Sequence, residues 1–253
     1  MKVIEYIGSN EKKLIKDELN SADKILVGLG AGMALSAGLK PLPLDQKQSE
    51  KDYWQFWQPY LEEQRFQQES NPVYDALMAL LADKDYFIID ANPDGMLYRS
   101  GVDLERVYKV QGDLGRAQCL KNCSHKVYPA RHNLEKLAQG KAAEICCPEC
   151  GAPLVMNVYV DKNFCETPYE KQKSAYFRFI NSSDKEKLVV LEIGVGYTVP
   201  EMMRFPFEYI VQNHRNAKLI RINTLHPLCV EENKNKAFCI GCDAGTVLKA
   251  LVE

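Results

Sequence analysis

Six short apolar runs recur along the chain: Lys24-Ile25-Leu26-Val27, Tyr86-Phe87-Ile88-Ile89, Val107 to Val110, Leu188 to Ile193, Lys218 to Ile222 and Ala237 to Ile240. Runs this short and predominantly apolar are the pattern of strands buried on both faces. Between them, apolar residues fall at helical spacing over 10–21, 53–83, 169–181, 201–214 and 244–252. Asn71-Pro72 breaks the second stretch into two helices. Strands alternating with helices predict an α/β fold, a mostly parallel sheet flanked by helices on both faces.

Residues 115–152 interrupt this rhythm. They hold five of the nine cysteines and little strand signal, and read as an inserted small module. Residues 40–52 are a polar, proline-broken loop, so 40–83 reads as a helical insertion. The expected division is a discontinuous domain, 1–114 and 153–253, with the module at 115–152. A length of 253 residues suits one large domain plus a small one.

The formal charge of −2 leaves no excess of cations to neutralise phosphate or to hold an anionic bilayer. No nucleic-acid or membrane partner is therefore expected. The longest uncharged apolar stretch, Ile25 to Leu39, carries four glycines and is too short to cross a bilayer. The first residues, MKVIEYIGSNEKK, contain no apolar core of a secretory signal, so the expected location is cytoplasmic. Thiols there stay reduced, and an odd number of cysteines does not suit a disulfide framework.

Cys119-x3-Cys123 and Cys147-x2-Cys150 form two chelating pairs that can supply four thiolates to one tetrahedral Zn²⁺. Cys146 is an alternative to Cys147, and His125 to a cysteine. The turn Cys147-Pro148-Glu149-Cys150-Gly151 favours Cys147. The metal's expected role is structural.

Several strands end in turn-forming residues that also suit a ligand site. The first runs into Gly28, Gly30, Ala31, Gly32 and Gly38, where the backbone can approach a pyrophosphate near a helix N-terminus. The spacing does not fit G-x-G-x-x-G, because residue 33 is Met33. Asn92-Pro93-Asp94-Gly95, Gln111-Gly112-Asp113 and Gly194-Val195-Gly196 end three more strands. Thr198 and Pro200 then offer an N-cap and an early helix position. Each turn alone is ordinary. Together they mark one edge of the sheet, where ligands of parallel sheets bind.

In this order and spacing the chain resembles the sirtuins over nearly its whole length. Gly30-Ala31-Gly32 with Gly38 and Leu39 corresponds to GAGxSxxxGIP. Asn92-Pro93-Asp94-Gly95 with Gly101 corresponds to QNxDxLHxxAG. The four cysteines correspond to the zinc module. Asn157-Val158 and Phe164-Cys165-Glu166 correspond to PxVVxFGE, Gly194-Val195-Gly196 to the GTS turn, Ile222-Asn223 to the IN pair, and Cys242-Asp243 to the last adenine-side loop. The resemblance implies a Rossmann-type NAD-binding domain. It places pyrophosphate against Gly30, Ala31, Gly32 and Gly194, Val195, Gly196, with Ala34, Gly38 and Leu39 alongside. It places adenosine against Asn223, Thr224, Cys242 and Asp243, and the nicotinamide ribose near Asn92, Asp94 and Gln111.

The departures point within the family. Ala34 replaces a serine, Lys40-Pro41-Leu42 replaces a proline-x-Phe-Arg segment, and Gln111 stands where the family has its catalytic histidine. These features resemble the macrodomain-linked class M branch. That branch implies protein ADP-ribosylation, with a lipoyl-carrier protein as acceptor and a functional link to a macrodomain ADP-ribose hydrolase. A glutamine amide does not accept a proton as a base does, and a positioned general base contributes ~10²–10⁴ in rate. The resemblance thus implies an ADP-ribosyltransferase with Asn92, Gln111 and Asp113 as catalytic residues. Asp113 would accept the proton of an incoming nucleophile or orient it. The plainer reading of Asp113 is a solvated turn carboxylate. The alternatives are a weak NAD-dependent lysine deacylase and a non-catalytic NAD or ADP-ribose binding module.

Overall fold

The computed structural model describes residues 3–43, 52–67, 69–198 and 200–253. The strands are β1 (Val3–Ile4), β2 (Lys24–Leu29), β3 (Tyr86–Asp90), β4 (Val107–Lys109), β5 (Gly112–Cys119), β6 (Val127–Pro129), β7 (Leu154–Val158), β8 (Leu188–Ile193), β9 (Ala217–Ile222) and β10 (Ala237–Ile240). The helices are α1 (Ser9–Asn20), α2 (Ala31–Ser36), α3 (Tyr53–Leu61), α4 (Pro72–Leu81), α5 (Ala130–Ala138), α6 (Glu170–Asn181), α7 (Arg204–Asn213) and α8 (Ala244–Val252). A π-helical turn, Glu62–Phe66, extends α3.

Seven strands form one parallel sheet in the order β1-β10-β9-β8-β2-β3-β4. All six predicted strands lie in it. Ile15, Leu19, Leu77, Val247 and Leu251, from α1, α4 and α8, cover one face. Tyr176, Phe207 and Val211, from α6 and α7, cover the other. Both faces are buried, so β2 and β8 read as apolar runs with one charge each, Lys24 and Glu192. The chain proceeds outward from β2 to β4 on one side and from β8 to β10 on the other. Strands β2 and β8 are therefore the switch point, where a crevice opens beyond the strand ends.

The antiparallel sheet β6-β5-β7, with α5 beside it, overlaps the stretch 115–152 and runs past both of its ends: β5 begins at Gly112 and β7 lies at Leu154–Val158. The β5 sequence GDLGRAQC is mixed in polarity, and β6 has three residues, half-exposed or exposed throughout, which removes the periodic signal. The module's apolar core is completed from outside: Tyr53, Trp54, Trp57 and Leu61 of α3 pack on Leu114, Ala117, Leu154 and Met156. Trp54 Nε1 donates to the Leu154 carbonyl at 2.7 Å. The expected helical segment 40–83 thus divides. Helix α3 joins the module, whereas α4, capped by Asn71 through the Val73 amide, packs on the main sheet. Residues 44–51 of the expected loop lie outside the described residues.

The helix expected over 201–214 begins later, at Arg204, after a 3₁₀ turn over Pro200–Met202. Its N-cap position is Met203 with no side-chain cap, so Thr198 does not cap it as expected. The expected parallel α/β sheet with an inserted cysteine module is otherwise borne out.

Candidate active site

At the switch point the turn after β2 and the turn after β8 lie against each other. Gly30 N donates to the Ile193 carbonyl and Gly32 N to the Gly194 carbonyl, both at 2.9 Å. A Cβ on Gly32 would stand 2.6 Å from Gly194 Cα, and one on Gly194 would stand 2.3 Å from Met33 N. Backbone meets backbone here, so no side chain can give way. These glycines are explained by the crossing of two turns. The amides of Gly30, Gly32 and Met33 are already hydrogen-bonded within the protein. Gly196, by contrast, faces open space. Ala34 packs on the core beside α2, and Gly38, at φ +83°, leads into buried Leu39.

Asn92 follows β3 and is buried. Its side-chain amide donates to the Gly30 carbonyl at 3.0 Å, and its backbone N–H donates to Asp90 Oδ1 at 2.8 Å. Lys109 of β4 donates to Asp90 Oδ2 at 2.7 Å and to the Asn92 carbonyl. Burial alone would discharge Lys109, but Asp90, Tyr98, Asp94 and Asp113 outweigh it and raise its pKa. Asp94 Oδ1 accepts from Met96 N at 2.7 Å. Burial pushes Asp94 up to about 6, against the pull of Lys109. The nearby Tyr74 hydroxyl, on α4, is buried and finds no protein partner among the described residues.

Gln111 is half-buried on the turn between β4 and β5. Asp113 lies two residues on, inside β5, and is buried rather than solvated. Its Oδ1 accepts from Arg65 Nε at 3.1 Å and from Gly115 N at 2.6 Å, and its Oδ2 from the Tyr98 hydroxyl at 2.7 Å. The β5–β7 register shifts between Asp113 and Ala117, a bulge of the kind that re-aims a side chain. Burial pushes Asp113 up, but Arg65 and Lys109 outweigh it and hold its pKa below the ordinary carboxylate value. A carboxylate so held and so fully bonded is a poor proton acceptor at neutral pH.

On the opposite flank Asn223 joins two loops. Its amide donates to the Val195 carbonyl at 2.8 Å, and its Oδ1 accepts from the amides of Leu225 and His226. Thr224 beside it is exposed. Asp243 caps α8 through the Thr246 amide and accepts from the Ser36 hydroxyl of α2 at 2.6 Å, while Cys242 is half-buried against the Ile4 carbonyl. Glu192, Arg204, Glu208 and Arg221 form a buried ion network behind these loops.

The sulfurs of Cys119, Cys123, Cys147 and Cys150 all lie within 4.8 Å of one another. Two pairs stand 3.6 Å apart, Cys119 with Cys150 and Cys123 with Cys147. A tetrahedron with Zn–S of about 2.3 Å has edges of about 3.8 Å, so the four thiolates fit Zn²⁺. Cys146 is engaged in a β-bridge with Pro153, and neither it nor His125 belongs to the group. Cys119 and Cys147 are buried in the module core with Leu154 and Ile145, whereas Cys123 and Cys150 are exposed at its edge; an anchored cluster of four thiolates suits a structural metal.

Sequence reasoning found the turns but missed Arg65, Tyr98, Lys109, Arg204 and Arg221, which hold them. Lys109, Glu192 and Arg221 carried a signal, a lone charge inside an apolar strand. Arg65 carried none.

No family model matches the chain. It superposes on a Sir2 structure described under the mechanism and regulation of Sir2 enzymes with a TM-score of 0.67, covering 97% of each chain at 20% identity. A Sir2 structure with bound acetylated peptide gives a TM-score of 0.63 over 94% of this chain and 95% of that one, at 20% identity. This is the Sir2 fold. A protein ADP-ribosyltransferase of Staphylococcus aureus (strain Mu50) is 24% identical over 85% of this chain and 78% of its own length. A probable bifunctional ADP-ribose hydrolase/ADP-ribosyltransferase of Fusarium oxysporum f. sp. cubense is 25% identical over 99% of this chain. The Sir2-fold chain spans 49% of that fungal protein. The sirtuin resemblance read from the motifs is borne out. No helix among the described residues is long and apolar enough to cross a membrane.

Proposed function

We propose that this protein is a cytoplasmic, NAD-dependent protein ADP-ribosyltransferase that releases nicotinamide and modifies a lipoyl-carrier protein. The observation that carries the reading is Gln111 on the β4–β5 turn of a Sir2 fold. The four histidines lie elsewhere: His125 and His132 in the module, His214 at the end of α7, and His226 on the loop after β9. The names of both curated relatives support the same activity. The fungal relative's second activity supports an ADP-ribose hydrolase as the functional partner that removes the product.

NAD supplies an ADP-ribosyl group activated by its nicotinamide leaving group. The crevice at the switch point suits it, with open space at Gly196 and an orphaned Tyr74 hydroxyl beside Asp94. In this reading Asn92, pinned to the Gly30 carbonyl and backed by Lys109, orients the ribose hydroxyls. Asp94 and Tyr74 hold the nicotinamide side. Gln111 holds hydroxyls by hydrogen bonds and takes no proton. The turns at 30–32 with Ala34, Gly38 and Leu39, at 194–196, and at 223–224 and 242–243 line the phosphate and adenosine side. Asn223 and Asp243 act there by shaping loops, since their side chains are committed to the protein. Asp113 is a fixed carboxylate rather than a base. Zn²⁺, held by Cys119, Cys123, Cys147 and Cys150, folds the module.

Incubation with NAD and a lipoylated carrier protein should release nicotinamide and add one ADP-ribose mass to the carrier. Asn92→Ala should abolish both, and Gln111→Ala should reduce both without creating deacylation. Release of acyl groups from acyl-lysine peptides at about 1 s⁻¹ or faster, with no carrier adduct, would overturn the reading. Absence of any nicotinamide release would leave a binding module.

A further inference from the structure

Arg65 enters the site from the π-helical turn after α3, a distortion that often accompanies function. Its Nε donates to Asp113 Oδ1 at 3.1 Å, and its guanidinium lies 5.2 Å from the centre of the Tyr98 ring. Two glycines from separate segments make room for it. A Cβ on Gly95 would lie 2.6 Å from Arg65 Cζ, and one on Gly115 would lie 2.6 Å from Arg65 Nη2. The backbone of Arg65 is tied down as well: Arg99 donates to its carbonyl at 2.7 Å and to the Gly95 carbonyl at 3.2 Å.

We propose that Arg65 is a positioning residue for the transfer step, clamping the Asp113 carboxylate and the Asn92–Arg99 turn into one fixed arrangement beside Gln111. The inference rests on the transferase reading above. The groups facing Asp113 are Arg65 from the π turn, Tyr98 and Arg99 from the turn after β3, Lys109 of β4, Asp90 of β3 and Tyr169 ahead of α6. Lys109 is already bonded to Asp90 and to the Asn92 carbonyl. Arg65 is therefore the cation committed to Asp113. Without it burial would raise the Asp113 pKa against Lys109 alone, the carboxyl group would lose its fixed orientation and its charge-assisted hold on Tyr98 would weaken, loosening the turn. Misplacing a positioned group by about 1 Å costs on the order of 10²-fold in rate.

The test uses the full chain with Arg65→Ala, Arg65→Lys, Gly115→Ala and the Arg65→Ala/Gly115→Ala pair. Arg65→Ala should lower kcat for nicotinamide release by about 10²-fold while NAD affinity, by calorimetry, stays within about threefold. The acid limb of its pH–rate profile should move up by about one unit or more, and Arg65→Lys should bring the limb part of the way back. An unmoved limb, or affinity falling in step with kcat, overturns the proposal. If Arg65→Ala does not fold, Arg65→Lys carries the same two readouts, with smaller shifts. Gly115→Ala should lower Tm in the presence of Arg65 and much less in Arg65→Ala. Equal losses in both backgrounds overturn the cradle. A wild-type protein that releases no nicotinamide refutes the transferase reading itself. The clamp is then judged by unfolding alone: stability tied to Asp113 should be present above the ordinary carboxylate pKa, be lost as pH falls through its depressed value, and vanish in Arg65→Ala.

Discussion

Arg221→Met should be among the most damaging substitutions away from the crevice. Arg221 lies on β9 with its side chain fully buried. Nε and Nη2 donate to the two oxygens of Glu192 at 2.7 and 2.9 Å, while Nη1 donates to Glu208 at 2.6 Å and to the Leu228 carbonyl at 2.7 Å. Methionine fills much of the volume but leaves two buried carboxylates and one carbonyl short of a donor. Breaking a buried pair from one side costs about 3–5 kcal/mol. Arg204 remains 3.4 Å from Glu192, so a value near the lower end, about 3–4 kcal/mol, is expected. In a chain of this size about 2–4 °C of Tm accompanies each kcal/mol, which puts the drop at roughly 6–16 °C. Replacing Glu192 as well, Arg221→Met with Glu192→Leu, should recover only part of this loss: a buried ion pair has little net worth over a packed apolar one, but Glu208 still lacks its cation. Urea denaturation of the two singles and the double closes the cycle. Single losses below about 1 kcal/mol, or effects that simply add, would refute the reasoning. The carbonyls of Leu228 and Val195 are held by this network, so NAD affinity should fall in Arg221→Met as well.

Freshly purified protein should carry one Zn²⁺ with Zn–S distances near 2.3 Å by X-ray absorption. Chelation should expose Trp54 and Trp57, which pack in the same core as Cys119 and Cys147; less than half an equivalent of metal, or unchanged tryptophan fluorescence after chelation, would count against a structural zinc. Asp94 has a folded pKa of about 6 because it is buried, above the ordinary value of about 3.9. Its stabilisation is therefore complete below about pH 4 and is lost as pH rises through 6. Asp94→Asn should gain about 1–3 kcal/mol at pH 8 and flatten the stability profile between pH 4 and 6; a destabilised variant with an unchanged profile would contradict this. Gly32→Ala should cost more than about 1–3 kcal/mol, since the added methyl meets the Gly194 backbone at 2.6 Å; loss of NAD binding at unchanged Tm would instead assign the glycine to the ligand.

The strands were legible because both faces of the main sheet are buried, which makes Leu188–Ile193 and Tyr86–Asp90 apolar except for Glu192 and Asp90. The turns at Gly30, Asn92, Gln111 and Gly194 were legible for a related reason: each must stop a strand at the same edge, and few residue types do so. Their supports were hidden because they depend on contacts between distant segments. Arg65 reaches Asp113 across 48 positions, and Trp54 reaches Leu154 across 100. Neither contact leaves a local period to read. An intermediate class was readable in principle. Lys109, Glu192 and Arg221 are single charges inside apolar strands, and a charge in such a place is tolerated only with a partner. Finding three of them should have announced buried ion pairs at the strand ends. The same logic reassigns Asp113. Gln111 reads as an amide without basic character, and Asp113 as a proton acceptor or, more plainly, a solvated turn carboxylate. Burial reverses the inference: a carboxylate that deep needs its own cation, and the search for that cation leads to Arg65 rather than to a proton acceptor.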